Sequence, residues 1–276
     1  MILARGLGTR MQKDVDGVNL DADTAKLASK GAKMLISVGR PFLDHSIQAM
    51  MDAGVKHFCL IVPPEAPTVR AYYGAVAANL ASQGVTISFA VQEQPVGTAN
   101  AVLAGKEWAA GESFMVYNSD NWYSPVAVRM LANAPAPASL AFERTSLMAK
   151  SNISADRISR FAVLDIEGSR LRRLIEKPAN PDEYARDGQL YVSMNCFLFT
   201  QEIFTACESI APDPVRKEYE LPVAVQYCMD KLGQTFAAVR CQEGVLDMTG
   251  RADIEPVRKA LAGHTVRFDA PKLEVL

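Results

Sequence analysis

The 276-residue chain has no apolar run near the ~18–20 residues that span a bilayer. Its first four residues are uncharged and Arg5 follows at once, which leaves less than the ~7–15-residue apolar region of a secretion signal. Neither a membrane segment nor a leader is expected. Cysteine is scarce and odd in number (Cys59, Cys196, Cys207, Cys228, Cys241), with no Cys-x-x-Cys. That argues against a disulfide framework and for reduced, mostly buried thiols in a cytoplasmic protein. The histidines, His45, His57 and His264, lack metal-ligand spacing, so a zinc site or a His-based triad is not expected. Basic residues number 29 and acidic residues 31, a net charge of -2. This excludes a broad basic coat and a nucleic-acid partner, and leaves room for a local basic cleft. Repeats and low-complexity linkers are absent as well.

What is present is ordinary globular composition, 49% apolar and 22% charged. In the first half, short runs that are apolar almost throughout (1–4, 57–62, 85–91 and 113–118) suit strands covered on both faces. Between them, 41–54, 65–83 and 98–110 read as helices. Pro41 and Gly54 bound the first of these, and Phe42, Ile47 and Met50/Met51 sit at roughly helical spacing. This βαβα rhythm implies a three-layer α/β/α, Rossmann-like fold. In the second half, strands are expected at 138–144, 158–166, 170–175, 190–199 and 235–241, with a turn at Glu167-Gly168-Ser169. Helices are expected near 200–209, 218–232 and 251–262. The central sheet should be mixed and mainly parallel, with a β-rich second lobe. The chain reads as one domain with halves 1–135 and 136–276, joined near 131–139. Residues 12–30 read as a solvated loop with a short helix after Asp21 or Asp23, or as a lid over a site.

Several segments carry chemistry. Ala4-Arg5-Gly6-Leu7-Gly8-Thr9-Arg10 follows the first strand, where glycines let backbone N–H groups approach a phosphate. It fits neither the P-loop nor the dinucleotide fingerprint, and a plain tight turn is the simpler alternative. Lys33 precedes an apolar stretch that runs into Gly39-Arg40-Pro41, either facing the same cleft or lying on the surface. Asp120 follows a strand end, where open α/β sheets bind ligands, but it also precedes the helix start Ser124-Pro125.

Taken in order, these segments resemble the sugar-1-phosphate nucleotidyltransferases. Residues 6–11 resemble that family's Gly-x-Gly-Thr-Arg-Met/Leu loop, 33–38 its Lys-Pro-Leu-Leu-Pro-Val-like stretch, and 39–41 its Gly-Lys/Arg-Pro turn. Gln92-Glu93-Gln94-Pro95-Val96-Gly97-Thr98-Ala99 resembles Gln-x-x-Pro-x-Gly-Thr-Ala. Ser119-Asp120-Asn121 resembles Gly-Asp-Asn, Glu176-Lys177-Pro178 resembles Glu-Lys-Pro, and 244–249 resembles Gly-x-Trp-x-Asp-x-Gly-Thr loosely. The resemblance spans residues 1 to about 262. It implies Mg²⁺-dependent transfer of a nucleotidyl group from an NTP, with a pyrimidine favoured, to a hexose 1-phosphate. It implies catalytic roles for Arg10, Lys33 and Asp120, with Mg²⁺ on Asp120 and Asp247. Nucleotide contacts would come from Ala4, Gly6, Leu7, Gly8, Thr9, Arg10, Gln92, Pro95, Gly97 and Thr98. The sugar phosphate would meet Asn121, Glu176, Lys177 and Asn195, although Asn195 also reads as an ordinary strand residue.

Departures from the pattern bear on the substrate more than on the reaction. Arg5 stands where the family has Ala or Gly, Met34 and Ser37 replace prolines, Ser119 replaces a Gly, Asn195 stands where Gly is common, and Leu246 replaces a Trp. Three rivals remain: a non-catalytic nucleotide-sugar sensor, a transferase acting on another phosphorylated acceptor, and a glycosyltransferase of related fold. The last expects an Asp-x-Asp that Ser119-Asp120-Asn121 lacks. A homo-oligomer is left open.

Overall fold

Four strands of nearly unbroken apolar sequence form a parallel layer at one side of the sheet. In the computed structural model, which describes residues 1–15, 17–176 and 178–274, these are β1 (Ile2–Leu3), β2 (His57–Val62), β3 (Thr86–Val91) and β4 (Phe114–Asn118). They lie in the order β3-β2-β1-β4. Alternate residues enter two separate cores. Phe58, Leu60 and Val62 face one, and Cys59 and Ile61 face the other. Both faces are covered, which is why these strands show no polar alternation. Helices Phe42–Asp52, Pro67–Leu80, Pro125–Ala132 and Ile254–Leu261 line the first core. Helices Thr98–Ala104, Glu202–Ser209 and Leu221–Asp230 line the second. Each fully buried Leu, Ile or Phe stabilises this arrangement by roughly 1.5–3 kcal/mol. The expected three-layer α/β/α fold is therefore present.

The remaining strands are β5 (Asn121–Tyr123), β6 (Ala138–Glu143), β7 (Val163–Glu167), β8 (Arg170–Ile175), β9 (Tyr191–Val192), β10 (Phe197–Phe199), β11 (Ala237–Cys241) and β12 (Val245–Asp247). β10 runs antiparallel between β4 and β6, and β11 is parallel to β6. β9 and β10 share one edge of β6, while β7 and β8 return from β9 to β11, so the second lobe closes on itself. β5 and β12 form a separate antiparallel pair.

Several boundaries differ from the sequence expectation. The strand expected at 158–166 begins only at Val163, because Ala155–Ile158 is a helical turn capped by Ser154. Arg144–Lys150 is a helix that the sequence reading missed. The helix expected at 98–110 breaks at Gly105. The strand expected at 190–199 splits into β9 and β10, because Asn195 adopts φ +55. Left-handed backbone cannot continue a strand, and Asn tolerates it better than most side chains. Within 12–30, Asp21 caps a helix at Ala22–Ser29, its side chain accepting from the Thr24 N–H at 2.9 Å.

A buried polar knot fixes the Gly39-Arg40-Pro41 turn. Asp44 is fully buried and accepts from the Tyr72 hydroxyl at 2.8 Å, the Tyr73 hydroxyl at 3.1 Å and Arg40 Nε at 3.1 Å. Burial raises its carboxyl, and these donors oppose the rise. Arg40 also donates to the Phe268 carbonyl at 2.9 Å, which ties the C-terminal segment to this face. There His45 Nδ1 lies 3.2 Å from His264 Nδ1. All five cysteines are free and buried. Among the described residues no helix is long and apolar enough to cross a membrane.

Candidate active site

The carboxyl ends of β1, β3 and β4 open into one cleft of about 980 Å³. The ladder ends there: Ala4 N donates to the Ile61 carbonyl at 2.9 Å, Gln92 N to Val62 at 3.0 Å and Ser119 N to Leu3 at 3.1 Å. Beyond these bonds the chain leaves the sheet as three loops. Every site residue expected from sequence lines this cleft, except Lys177, which lies outside the described residues.

The first loop carries Ala4, Gly6, Leu7, Gly8, Thr9 and Arg10. Gly8 has φ +62, and a Cβ there would stand 2.5 Å from the Gly31 carbonyl oxygen. The loop thus rests backbone to backbone against the chain leading into Lys33, a contact the sequence did not reveal. Leu7 is exposed, and so is Arg10, whose guanidinium makes no ion pair among the described residues. Arg5 donates from Nη2 to the Glu93 carbonyl at 3.0 Å, bridging the β1 and β3 loops.

Lys33 sits at the start of a 3₁₀ turn, Lys33–Leu35, and its ammonium is ion-paired with Asp120 Oδ2. The Asp120 carbonyl accepts from Met248 N at 2.8 Å, and Asn121 lies opposite Asp247 in the β5–β12 pair. This short pair therefore brings the two aspartates together from 127 residues apart (247 minus 120). Asn121 Nδ2 donates to Asp247 Oδ2 at 3.2 Å. Asn152, which the sequence did not flag, brackets the Asp247 backbone with both ends of its amide at 2.8 Å. Arg157 donates to Asp247 Oδ1 at 2.6 Å and to Asp253 Oδ1 at 2.9 Å. Burial raises the Asp247 carboxyl, and the nearby Asp120 charge raises it further. Burial also works against the Arg157 charge, but Asp247 and Asp253 outweigh it and hold Arg157 firmly protonated.

Two carboxylates near each other at the cleft floor make a hard-oxygen donor set with mutual repulsion that a divalent cation would relieve. Among the described residues no third His, Cys, Asp or Glu joins them. A metal held here would complete its shell with water and substrate oxygens, as Mg²⁺ commonly does. The residues present fit that ion.

On the β3 side, Gln92 is buried and its Nε2 donates to the Gly97 carbonyl at 3.1 Å and to Asn100 Oδ1 at 2.9 Å. Gly97, with φ +114, lies against Tyr219, whose carbonyl would be 2.3 Å from an added Cβ. Thr98 also anchors helix Leu221–Asp230, its hydroxyl accepting from Leu221 N at 2.9 Å. The second lobe contributes Glu176 and Asn195 to the opposite wall, with Arg160, Phe161, Arg216 and Glu220 beside them. Asn195 is not the strand residue that the simpler reading allowed. It sits in the left-handed break between β9 and β10, backbone that Gly adopts without cost.

Comparisons with known proteins bear on the family and the fold. A sequence model described as nucleotidyl transferase matches residues 24–243. A glucose-1-phosphate thymidylyltransferase of Streptomyces antibioticus is 29% identical over 234 residues, covering 83% of this chain and 57% of that protein. A bifunctional protein GlmU of Syntrophomonas wolfei subsp. wolfei is 24% identical over 255 residues, covering 92% of this chain and 50% of that one. The chain thus spans about half the length of these curated relatives. Among solved structures, a UDP-glucose pyrophosphorylase complexed with UDP-glucose superposes with TM-score 0.68 at 15% identity, covering 96% of this chain and 98% of that one. The inositol-1-phosphate CTP transferase of T. maritima does so with TM-score 0.67 at 17% identity, covering 95% and 93%. These two share the fold. The family match, over residues 24–243, shows that the chain belongs to the nucleotidyl transferase family.

Proposed function

We propose that this chain joins an NTP and a sugar 1-phosphate to give an NDP-sugar and pyrophosphate. A phosphate oxygen of the sugar phosphate attacks the α-phosphorus, and the bond to the β-phosphate oxygen breaks as pyrophosphate leaves. The observation that carries this reading is the convergence of the glycine loop, Lys33, Asp120 and Asp247 on one cleft at the strand ends. Two polyanions must meet there, so positioning and charge neutralisation supply most of the rate enhancement.

Arg10 and Lys33 hold the triphosphate and offset charge that builds on the departing pyrophosphate. Gln92 reads the base edge through its amide oxygen, and Gly97 keeps the nucleoside slot open. A pyrimidine is the base this reading favours. Glu176 accepts from sugar hydroxyls, Asn121 and Asn195 line the sugar-phosphate end, and Lys177 holds its phosphate. Asp120 and Asp247 hold Mg²⁺, which when bound supplies Lewis-acid neutralisation of the phosphate oxygens. Incubation of the protein with Mg²⁺, each common NTP and a panel of sugar 1-phosphates, resolved by anion-exchange chromatography, tests the proposal. One pair should yield an NDP-sugar and pyrophosphate in equal amounts. Product only with a different phosphorylated acceptor would move the assignment, and nucleotide binding without product would favour a sensor.

A further inference from the structure

Each carboxylate assigned to the metal already carries a cation of the chain. Lys33 sits on Asp120 and Arg157 on Asp247. The two cations are held differently. Arg157 is anchored at its other arm by Asp253, whose second oxygen accepts from Thr249 N at 3.0 Å and Gly250 N at 2.7 Å. Lys33 has a flexible four-carbon stem, and Asp120 is its one side-chain partner among the described residues. The Asp247 side chain is 10% exposed and that of Asp120 26%, so Asp120 is the carboxylate more open to water.

We propose that these two ion pairs keep the metal site closed in the nucleotide-free protein. An arriving triphosphate draws Lys33 away from Asp120 and opens that carboxylate, while Arg157 stays in place as a positioning residue for Asp247. The inference rests on the assignment of Asp120 and Asp247 in the proposed function. A free divalent cation must compete with a built-in ammonium and a built-in guanidinium. Metal and nucleotide therefore strengthen each other's binding by the same factor. At an effective dielectric of ~20, a unit charge within ~5 Å of a divalent ion changes its affinity by well over tenfold. Arg157 is thus expected to weaken metal binding in the free protein even as it orients a ligand of that metal.

The test is calorimetric titration of Mn²⁺ into the nucleotide-free full chain, with melting temperatures recorded for wild type, Lys33→Met, Arg157→Met and Arg157→Lys. Both Met variants should bind Mn²⁺ at least about tenfold more tightly than wild type. Arg157→Lys, which retains the charge, should stay within about threefold of wild type. Equal or weaker binding by folded Met variants overturns the inference. If Arg157→Met does not fold, Lys33→Met decides alone, because its carboxylate partner is partly exposed. Pyrophosphate release by wild type is scored separately. An active wild type whose Met variants gain no Mn²⁺ affinity refutes the closed site alone, whereas an inactive wild type refutes the functional reading.

Discussion

Replacing Gly97 by Ala should cost both stability and nucleotide binding. The backbone there has φ +114 and ψ 172, a region that is essentially glycine-only. Strain of this kind costs ~1–3 kcal/mol. The added Cβ would also meet the Tyr219 carbonyl oxygen, amide nitrogen and carbonyl carbon at 2.3, 2.5 and 2.9 Å. Tyr219 cannot retreat without loosening two hydrogen bonds, Ala99 N to its carbonyl at 2.9 Å and its own N–H to Val96 at 2.7 Å. Each contributes ~1 kcal/mol, so the total is ~3–5 kcal/mol. With an unfolding entropy of ~2.1 cal/mol/K per residue over the chain, that lowers the melting temperature by ~5–9 °C. Differential scanning calorimetry reads this directly. Gly233→Ala is the control, because Gly233 has φ +66 but open space around it, and its cost is ~1–2 kcal/mol at most. The NTP dissociation constant should rise as well, since the Gly97 carbonyl orients Gln92. A Gly97→Ala protein that melts within ~2 °C of wild type, less than half of the ~5 °C minimum, would refute the close packing at this turn.

Asp44→Asn should lower the melting temperature by ~5 °C, corresponding to ~3 kcal/mol, because Arg40 loses its buried counter-ion and an amide N–H replaces an acceptor. Its pyrophosphate release at 25 °C should match wild type, and loss of turnover without loss of stability would contradict a purely structural role. Burial, then the neighbouring His264 and Arg40, lowers His45 to about 4, and burial lowers His264 too. The neutral ring is the folded form, so this stabilisation is complete above the unfolded value of ~6.5 and lost as pH falls from there towards 4. Urea midpoints should drop between pH 7 and 5, and His45→Gln should flatten that drop; an unchanged slope would count against it. Asn195→Gly should preserve stability, whereas Asn195→Val should cost ~1–2 kcal/mol, because a β-branched residue resists left-handed backbone. Thermal melts of the two variants check this ordering.

The parallel layer was legible because strands buried on both faces read as continuous apolar runs, and β2 matches the expected 57–62 residue for residue. The first-half site loops were legible because they follow those strand ends directly. Much of the second lobe was not. Arg144–Lys150 buries only Leu147 and shows no helical stripe. Asn195 breaks a run that otherwise patterns as one strand, since Asn signals left-handed backbone far less strongly than Gly. β5 and β12 are three residues each, too short for a period to show, yet they join Asp120 to Asp247. Asn152 and Arg157 reach Asp247 across 95 and 90 residues, contacts that exist only once the chain has folded.

Asp120 is assigned to a cleft that performs nucleotidyl transfer. The most direct test of this assignment is pyrophosphate release with Mg²⁺ and the best NTP and sugar 1-phosphate pair, measured for wild type and Asp120→Ala. Steady release is expected from wild type, with a loss of at least ~10²-fold in the variant, whose melting temperature stays close to wild type. Equal rates for the two proteins, or silence from wild type across every pair while nucleotide still binds, would contradict it.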